Sequence, residues 1–318
     1  MLIENIFGLC YKFQMKDKKK TILLLNPEAG KGKGKKNFPY ILESLKSKIY
    51  ELDYKVSEYP RHLVEIAKEA VKNGYKRIIT IGGDGTPYEV INGVCDSDCS
   101  KDDVEFGFIP AGTGNSFLRD FIDINVDSAL KRIFKFSPSG VDLAEFSYYS
   151  KGEKLKRYFL NILGVGLISD ILELTNEKFK RLGSAGYGLS VLVRLFRGMD
   201  NSLNLKIDGK DFEFKNSAMV ISNSKFTGGK MKIAPGADAR DGKLDIIVFN
   251  SVNRREILSI FSKIFSGRHI DHPKVNVLKG SEIELTSDPE ERLMADGELL
   301  GFTPLKISTH NRRIKALL

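Results

Sequence analysis

Ile81-Gly82-Gly83-Asp84-Gly85-Thr86 sets a single carboxylate in a turn that has almost no side chains. The apolar run Arg77-Ile78-Ile79-Thr80-Ile81 leads into it, and the helix-compatible Tyr88-Glu89-Val90-Ile91-Asn92-Gly93-Val94 follows. The order is strand, glycine turn, helix. Glycines at such a junction let backbone N–H groups approach a phosphate, and the helix N-terminus favours its negative charge. A carboxylate beside phosphate is repelled unless it holds a metal ion or accepts a proton from an attacking hydroxyl, so Asp84 points to phosphoryl transfer. Taken alone, Gly-Asp-Gly is also an ordinary tight turn.

The flanking sequence repeats the arrangement. Upstream, Thr21-Ile22-Leu23-Leu24-Leu25 reads as a buried parallel strand running into Asn26-Pro27-Glu28-Ala29-Gly30-Lys31-Gly32-Lys33-Gly34-Lys35-Lys36, a glycine and lysine loop. Apolar residues at helical spacing follow at Phe38, Ile41, Leu42, Leu45 and Ile49, and again at Leu63, Ile66, Ala67, Ala70 and Val71. Downstream, the strand Phe106-Gly107-Phe108-Ile109 enters Pro110-Ala111-Gly112-Thr113-Gly114-Asn115-Ser116. Three glycine turns that each follow a strand predict an open parallel sheet with one ligand crevice at the strand C-termini. The first loop lacks the Gly-x-x-x-x-Gly-Lys-Ser/Thr order, and no GxGxxG follows the first strand, so neither a Walker A loop nor a conventional dinucleotide fold is expected.

Beyond about residue 140 the pattern changes. Val141-Asp142-Leu143-Ala144-Glu145-Phe146, Arg157-Tyr158-Phe159-Leu160-Asn161-Ile162, Leu203-Asn204-Leu205-Lys206-Ile207, Ser217-Ala218-Met219-Val220-Ile221, Leu244-Asp245-Ile246-Ile247-Val248, Lys274-Val275-Asn276-Val277-Leu278 and Glu282-Ile283-Glu284-Leu285 read as strands. Several alternate apolar with polar residues, as an antiparallel sheet with one solvated face requires. Helical stretches are expected near 167–197 and 254–265. The organisation predicted is an N-terminal extension over 1–17, an α/β domain over 18–140 and a β-rich domain over 141–318.

The 318 residues suffice for two domains at ~100–200 residues each. With 42% hydrophobic and 29% charged residues the composition is that of a globular protein, and no stretch approaches the ~20 apolar residues of a membrane-spanning helix. The net charge of +9 favours polyanionic partners. Cys10, Cys95 and Cys99 form neither an even disulfide framework nor paired CxxC motifs, which predicts a reducing, cytoplasmic setting. The four histidines, His62, His269, His272 and His310, lack the company of a metal site. The apolar N-terminus, followed by Lys12, Lys16, Lys18, Lys19 and Lys20, is a poor signal peptide and reads as a packed extension or an interfacial anchor with a basic collar.

In their order along the chain, Asn26-Pro27 with Ala29-Gly30, Gly82-Gly83-Asp84-Gly85-Thr86, Pro110-x-Gly112-Thr113-Gly114-Asn115, Gly228-Gly229-x-x-x-Ile233-Ala234-Pro235-x-Ala237-x-x-x-Asp241-Gly242-x-Leu244 and Asp296-Gly297-Glu298 resemble the diacylglycerol kinase catalytic-domain family. That family includes bacterial soluble lipid kinases and the sphingosine and ceramide kinases. The resemblance covers nearly everything from residue 20 onward. It implies an N-terminal α/β nucleotide-binding domain, a C-terminal β-sandwich domain, ATP between them, and a last segment that returns to the first domain. It further implies an ATP-dependent lipid kinase that uses Mg²⁺.

Carried over residue by residue, Asn26, Pro27, Glu28, Ala29, Gly30, Gly82, Gly83, Asp84, Gly85, Thr86, Pro87, Tyr88, Gly112, Thr113, Gly114 and Asn115 would hold ATP. The catalytic set would be Asp84, Asp296 and Glu298. Bacterial members place the base in the Asp-Gly-Glu segment and the sphingosine kinase branch places it at the glycine-turn aspartate, so both assignments stay open. A structural Mg²⁺ would sit on Asp241 with backbone carbonyls near Asp238 and Lys243. Read without the resemblance, Asp296-Gly297 and Asp241-Gly242 are hairpin signals. Pro87 stands where the family commonly has an aliphatic residue, Tyr88 where asparagine or histidine is frequent, and Tyr59-Pro60-Arg61-His62 replaces a threonine-containing segment.

The expected partners are ATP, a lipid acceptor and an anionic membrane surface, with a homodimer as the oligomer. Nucleic acid is not expected, because aromatics are not interleaved with the basic runs. A nicotinamide-dinucleotide kinase-like or phosphofructokinase-like enzyme shares the glycine-aspartate turn but lacks the Pro-x-Gly-Thr-Gly-Asn and Ala-Pro-x-Ala-x-x-x-Asp-Gly combination. A catalytically weak lipid- or nucleotide-binding regulator is the alternative of a different class.

Overall fold

The computed structural model describes residues 16–97, 103–166 and 200–318. The terminal extension with Cys10, the Cys99 position and the helical stretch expected over 167–197 lie outside the described residues. The first part alternates β1 (Thr21–Leu25), α1 (Lys33–Lys46), β2 (Leu52–Val56), α2 (His62–Lys72), β3 (Arg77–Gly82), α3 (Gly85–Cys95), β4 (Glu105–Pro110) and α4 (Val126–Ile133), with a 3-10 turn at Phe117–Asp120.

Strands β1 to β4 are mutually parallel in the order β4-β3-β1-β2. Consecutive residues of β1 feed opposite faces of this sheet. Ile22 and Leu24 pack with Leu63 and Ile66 of α2 and Val90 and Ile91 of α3. Leu23 and Leu25 pack with Ile41 and Leu45 of α1 and Leu130 of α4. Helices on both faces explain why β1, β3 and β4 are buried throughout and read as continuous apolar runs. Strand β2 gives no such signal because it is a mostly exposed edge.

The second part adds β5 (Ser139–Ser150), β6 (Glu153–Phe159), β7 (Ile162–Val165), β8 (Ser202–Ile207), β9 (Lys210–Lys215), β10 (Ser217–Ser222), β11 (Leu244–Asn250), α5 (Arg254–Ile264), β12 (Val275–Gly280), β13 (Glu282–Asp288), β14 (Arg292–Ala295) and β15 (Glu298–Ala316). Phe146, Phe159, Leu163, Leu205, Met219, Ile246, Leu285 and Ile307 fill the sandwich core. On the outer face of β10 and β11, Ile260 and Ile264 of α5 cover Ala218, Val220 and Ile247. These are the N-terminal α/β domain and the C-terminal β-sandwich domain implied by the resemblance.

The two parts share one sheet. Strand β15 runs 19 residues, pairs with β14, β13 and β5, and ends parallel to β4 at Lys315 and Ala316. Leu317 then donates its N–H to Phe106 O at 2.8 Å. Ile314 and Ala316 complete the apolar core beneath α2 and α3, so that core closes only when the last strand is in place. Helix α3 is clamped from the other side by Asn92. Its Nδ2 donates to Tyr158 O at 2.9 Å and its Oδ1 accepts the Tyr158 N–H at 3.0 Å, as a neighbouring strand would.

The strand expected over 157–162 is interrupted at Leu160-Asn161, between β6 and β7. The cause is one carboxylate, Asp296, which draws three consecutive N–H groups out of the ladder.

Candidate active site

Parallel register brings the C-terminal ends of three strands side by side, with Leu25 opposite Ile81 and Gly82 opposite Pro110. The three glycine turns therefore emerge as neighbours. Their backbones touch. A Cβ on Gly30, which has φ +60°, would meet Ala111 O at 1.8 Å, and one on Gly112 would meet Gly83 Cα at 2.4 Å. A Cβ on Gly82 would strike Thr86 Oγ1 at 2.0 Å, and one on Gly114 would reach Asp84 Oδ2 at 2.5 Å. Ile81 O accepts the Asn26 N–H at 3.0 Å, and Gly82 O accepts from Ala111 at 2.8 Å and Gly112 at 3.2 Å. Asn26 Oδ1 takes the Glu28 N–H at 3.1 Å, and its Nδ2 donates to Thr86 Oγ1 at 3.4 Å.

No side chain caps the first turn of α1 or α3. Before α1, Gly30, Lys31 and Gly32 all have positive φ. Two helix starts without a side-chain cap, beside a glycine floor, form a cradle of the kind that suits a polyanion. Thr113 is exposed at its rim and Asn115 is buried in its wall, its Oδ1 accepting the Gly112 N–H at 3.1 Å. Pro87 falls in the first turn of α3, where the missing N–H costs nothing.

Asp84 precedes α3 but turns away from it. Its Oδ1 accepts the Ser116 N–H at 2.5 Å, and Ser116 Oγ lies 3.4 Å from Oδ2. Ser116 Oγ in turn accepts the Gly229 N–H at 2.9 Å, which ties the cradle to the sandwich. Burial pushes the Asp84 carboxyl up, and the N–H bonds from Ser116 and Phe117 oppose that shift.

Asp296-Gly297 forms the two-residue loop between β14 and β15, with Ala295 paired to Glu298 and φ of +48° and +94° in the loop. This is the left-handed pair a tight hairpin needs. The local hairpin reading of these residues is right, and the loop also carries two carboxylates with different surroundings. Asp296 is buried. Its Oδ2 accepts the Leu160 N–H at 2.9 Å, and its Oδ1 accepts from Asn161 at 3.0 Å and Ile162 at 2.9 Å. Desolvation raises its pKa to about 7 against those three hydrogen bonds, with the Asp84 charge adding to the rise. Glu298 is half-buried, and its Oε1 lies 3.8 Å from where a Cβ on Gly85 would be. The second domain thus delivers a carboxylate to the glycine turn of the first. Glu89 is pushed up by burial and by the neighbouring Glu298 charge.

Two expectations change. Tyr88 was expected among the ATP-holding residues, but it is 7% exposed and packs with Phe146, Phe159 and Leu163 in the sandwich core, because α3 carries it away from the turn. Its hydroxyl is held protonated by burial first and by Asp296 second. Asp238, Asp241 and Lys243 form a separate cluster beside β11 and β12. There the Asp241 carboxylate accepts the Lys243 N–H at 2.9 Å and meets the Lys279 ammonium at 2.8 Å. Its expected metal does not fit that arrangement, because an ammonium already neutralises the carboxylate. Among the described residues no three His, Cys, Asp or Glu side chains group to hold a metal ion.

Ser116, Asn92 and Lys279 are not singled out by motif reading. Their roles depend on partners 32, 66 and 38 positions away, and no local pattern marks them. The segment Tyr59-Pro60-Arg61-His62 closes on itself, with the Tyr59 and His62 rings stacked 4.1 Å apart and the Tyr59 hydroxyl on Glu65 at 2.6 Å.

Comparison with known proteins agrees with this fold. Residues 20–146 match the diacylglycerol kinase catalytic domain, and residues 161–317 match the YegS C-terminal NAD kinase beta sandwich-like domain. The diacylglycerol kinase of Staphylococcus haemolyticus (strain JCSC1435) is 28% identical over 295 residues, covering 92% of this chain and 86% of that protein. The crystal structure of a diacylglycerol kinase from Bacillus anthracis str. Sterne superposes with a TM-score of 0.71 at 21% identity, covering 95% of this chain and 98% of the other. Yeast NADH kinase, solved with NADH, shares the fold at a TM-score of 0.53 and 10% identity, over 94% of this chain and 83% of its own. The two matched domains together show that the chain belongs to the diacylglycerol kinase catalytic-domain family with a YegS-type C-terminal domain.

Proposed function

We propose that the protein transfers the γ-phosphoryl group of ATP to the hydroxyl of a lipid, with diacylglycerol as the first acceptor to test. The observation that carries this reading is the meeting of Glu298 with the Gly82-Gly83-Asp84-Gly85 turn. It puts a half-buried carboxylate from one domain beside the phosphate cradle of the other. The collisions that a Cβ would cause at Gly30, Gly82, Gly112 and Gly114 fit a cradle whose backbone N–H groups take phosphate oxygens.

Asp84 is the carboxylate at that cradle and would hold a Mg²⁺, which would neutralise phosphate charge. Glu298 takes the proton from the attacking lipid hydroxyl. Asp296, whose two oxygens accept three backbone N–H groups, positions Glu298 by holding the hairpin against residues 160–162. Geometry supports this division, because a base must reach its proton whatever its pKa. The acceptor lies in a membrane, and the net charge of +9 supports approach to an anionic surface.

The test is incubation with labelled ATP, Mg²⁺ and anionic vesicles that carry diacylglycerol, with a total lipid extract in parallel. A labelled phospholipid product is expected, and Asp84→Asn should abolish it. Intact ATP binding with no labelled lipid from either preparation refutes the reading.

A further inference from the structure

Beside β11 and β12, away from the nucleotide cradle, two carboxylates share one ammonium group. Asp245 and Lys279 stand directly opposite each other in the antiparallel register of β11 and β12. Lys279 Nζ is 2.8 Å from Asp241 Oδ2 and 3.2 Å from Asp245 Oδ2. Asp245 is 4% exposed and the Lys279 ammonium is the partner of its Oδ2, so the Lys279 charge is what compensates it. The surrounding loop makes hydrogen bonds of its own. Asp238 O accepts the Asp241 N–H at 3.3 Å, Ala239 O accepts the Asp142 N–H at 2.8 Å, and Asp142 Oδ2 accepts the Gly242 N–H at 2.6 Å.

An ammonium has three donors and no lone pair, so it cannot ligate a metal and repels one. A divalent ion on Asp241 Oδ2, at about 2.0–2.6 Å, would compete with Lys279 Nζ for that oxygen. We propose that Lys279 is the resident cation of this cluster, so the loop 236–243 is fastened to β11 and β12 without a metal ion. The inference is independent of the kinase reading, because it concerns stability and not turnover.

Thermal unfolding of the full chain tests it. The wild type should melt at the same temperature with excess EDTA as with millimolar Mg²⁺ or Ca²⁺. Lys279→Met should melt ~3–6 °C lower, since it leaves buried Asp245 uncompensated. Lys279→Arg should keep most of the lost stability. Mg²⁺ should raise the midpoint of Lys279→Met and leave the wild type unmoved. A wild type that EDTA destabilises and Mg²⁺ restores overturns the proposal, as does a Lys279→Met chain that melts with the wild type.

Discussion

Asp296→Asn and Glu298→Gln should separate the two carboxylates of one hairpin into a structural and a chemical role. In Asp296→Asn the amide oxygen can keep the place of Oδ1, which serves Asn161 and Ile162, while the amide nitrogen replaces Oδ2 and faces the Leu160 N–H. One buried donor is then left against another donor, at a cost of about 1–3 kcal/mol. For a chain of this length that lowers the melting midpoint by ~2–8 °C. Glu298 holds no comparable set of backbone bonds, so Glu298→Gln should melt with the wild type. Its turnover should fall by ~10²–10⁴, the usual contribution of a general base. The assays are thermal unfolding and labelled-phosphate transfer to lipid on the same preparations. An Asp296→Asn chain that melts normally but is inactive, beside an active Glu298→Gln, refutes the argument and makes Asp296 the base.

Three further outcomes follow from the same geometry. Asp296 has a folded pKa of about 7 against 3.8 unfolded, so the native chain holds that proton more tightly; its contribution to stability is full below about pH 4 and is lost as pH rises to 7, by at most ~4 kcal/mol. The melting advantage of wild type over Asp296→Asn should therefore shrink from pH 4.5 to 8, and an advantage that does not change with pH would count against the burial argument. Gly30→Ala places a Cβ 1.8 Å from Ala111 O at a φ of +60°, so ATP affinity measured by calorimetry should fall at least ~10-fold, a loss of 1.4 kcal/mol or more. Unchanged affinity would mean that this turn is not part of the cradle. Asn92→Leu leaves the Tyr158 N–H and carbonyl unpaired inside the protein and should lower unfolding free energy by about 1–3 kcal/mol in urea titration, and a neutral result would show that α3 docks on β6 through apolar packing alone.

The first domain was legible because its signals are local. A buried parallel strand reads as an apolar run, and a glycine turn at its end reads as a phosphate loop, so β1, β3 and β4 and all three turns are found within a few residues of where they lie. The edge strand β2 escapes because a mostly exposed edge carries no such run. The break at Leu160-Asn161 escapes for a different reason. Its cause, the Asp296 carboxylate, is more than 130 positions away.

By itself the sequence determined the order of elements, the glycine positions where backbones must nearly touch, and the set of carboxylates available for phosphoryl transfer. Tertiary structure decided what each carboxylate does. Asp296 and Glu298 are two residues apart, yet one is spent on three backbone N–H groups and the other reaches the glycine turn. Asp241 meets the ammonium of Lys279 from a neighbouring strand. A side chain's type sets its possible chemistry, whereas its desolvation and its partners set its actual charge and reach, and those depend on residues the chain brings together only when folded.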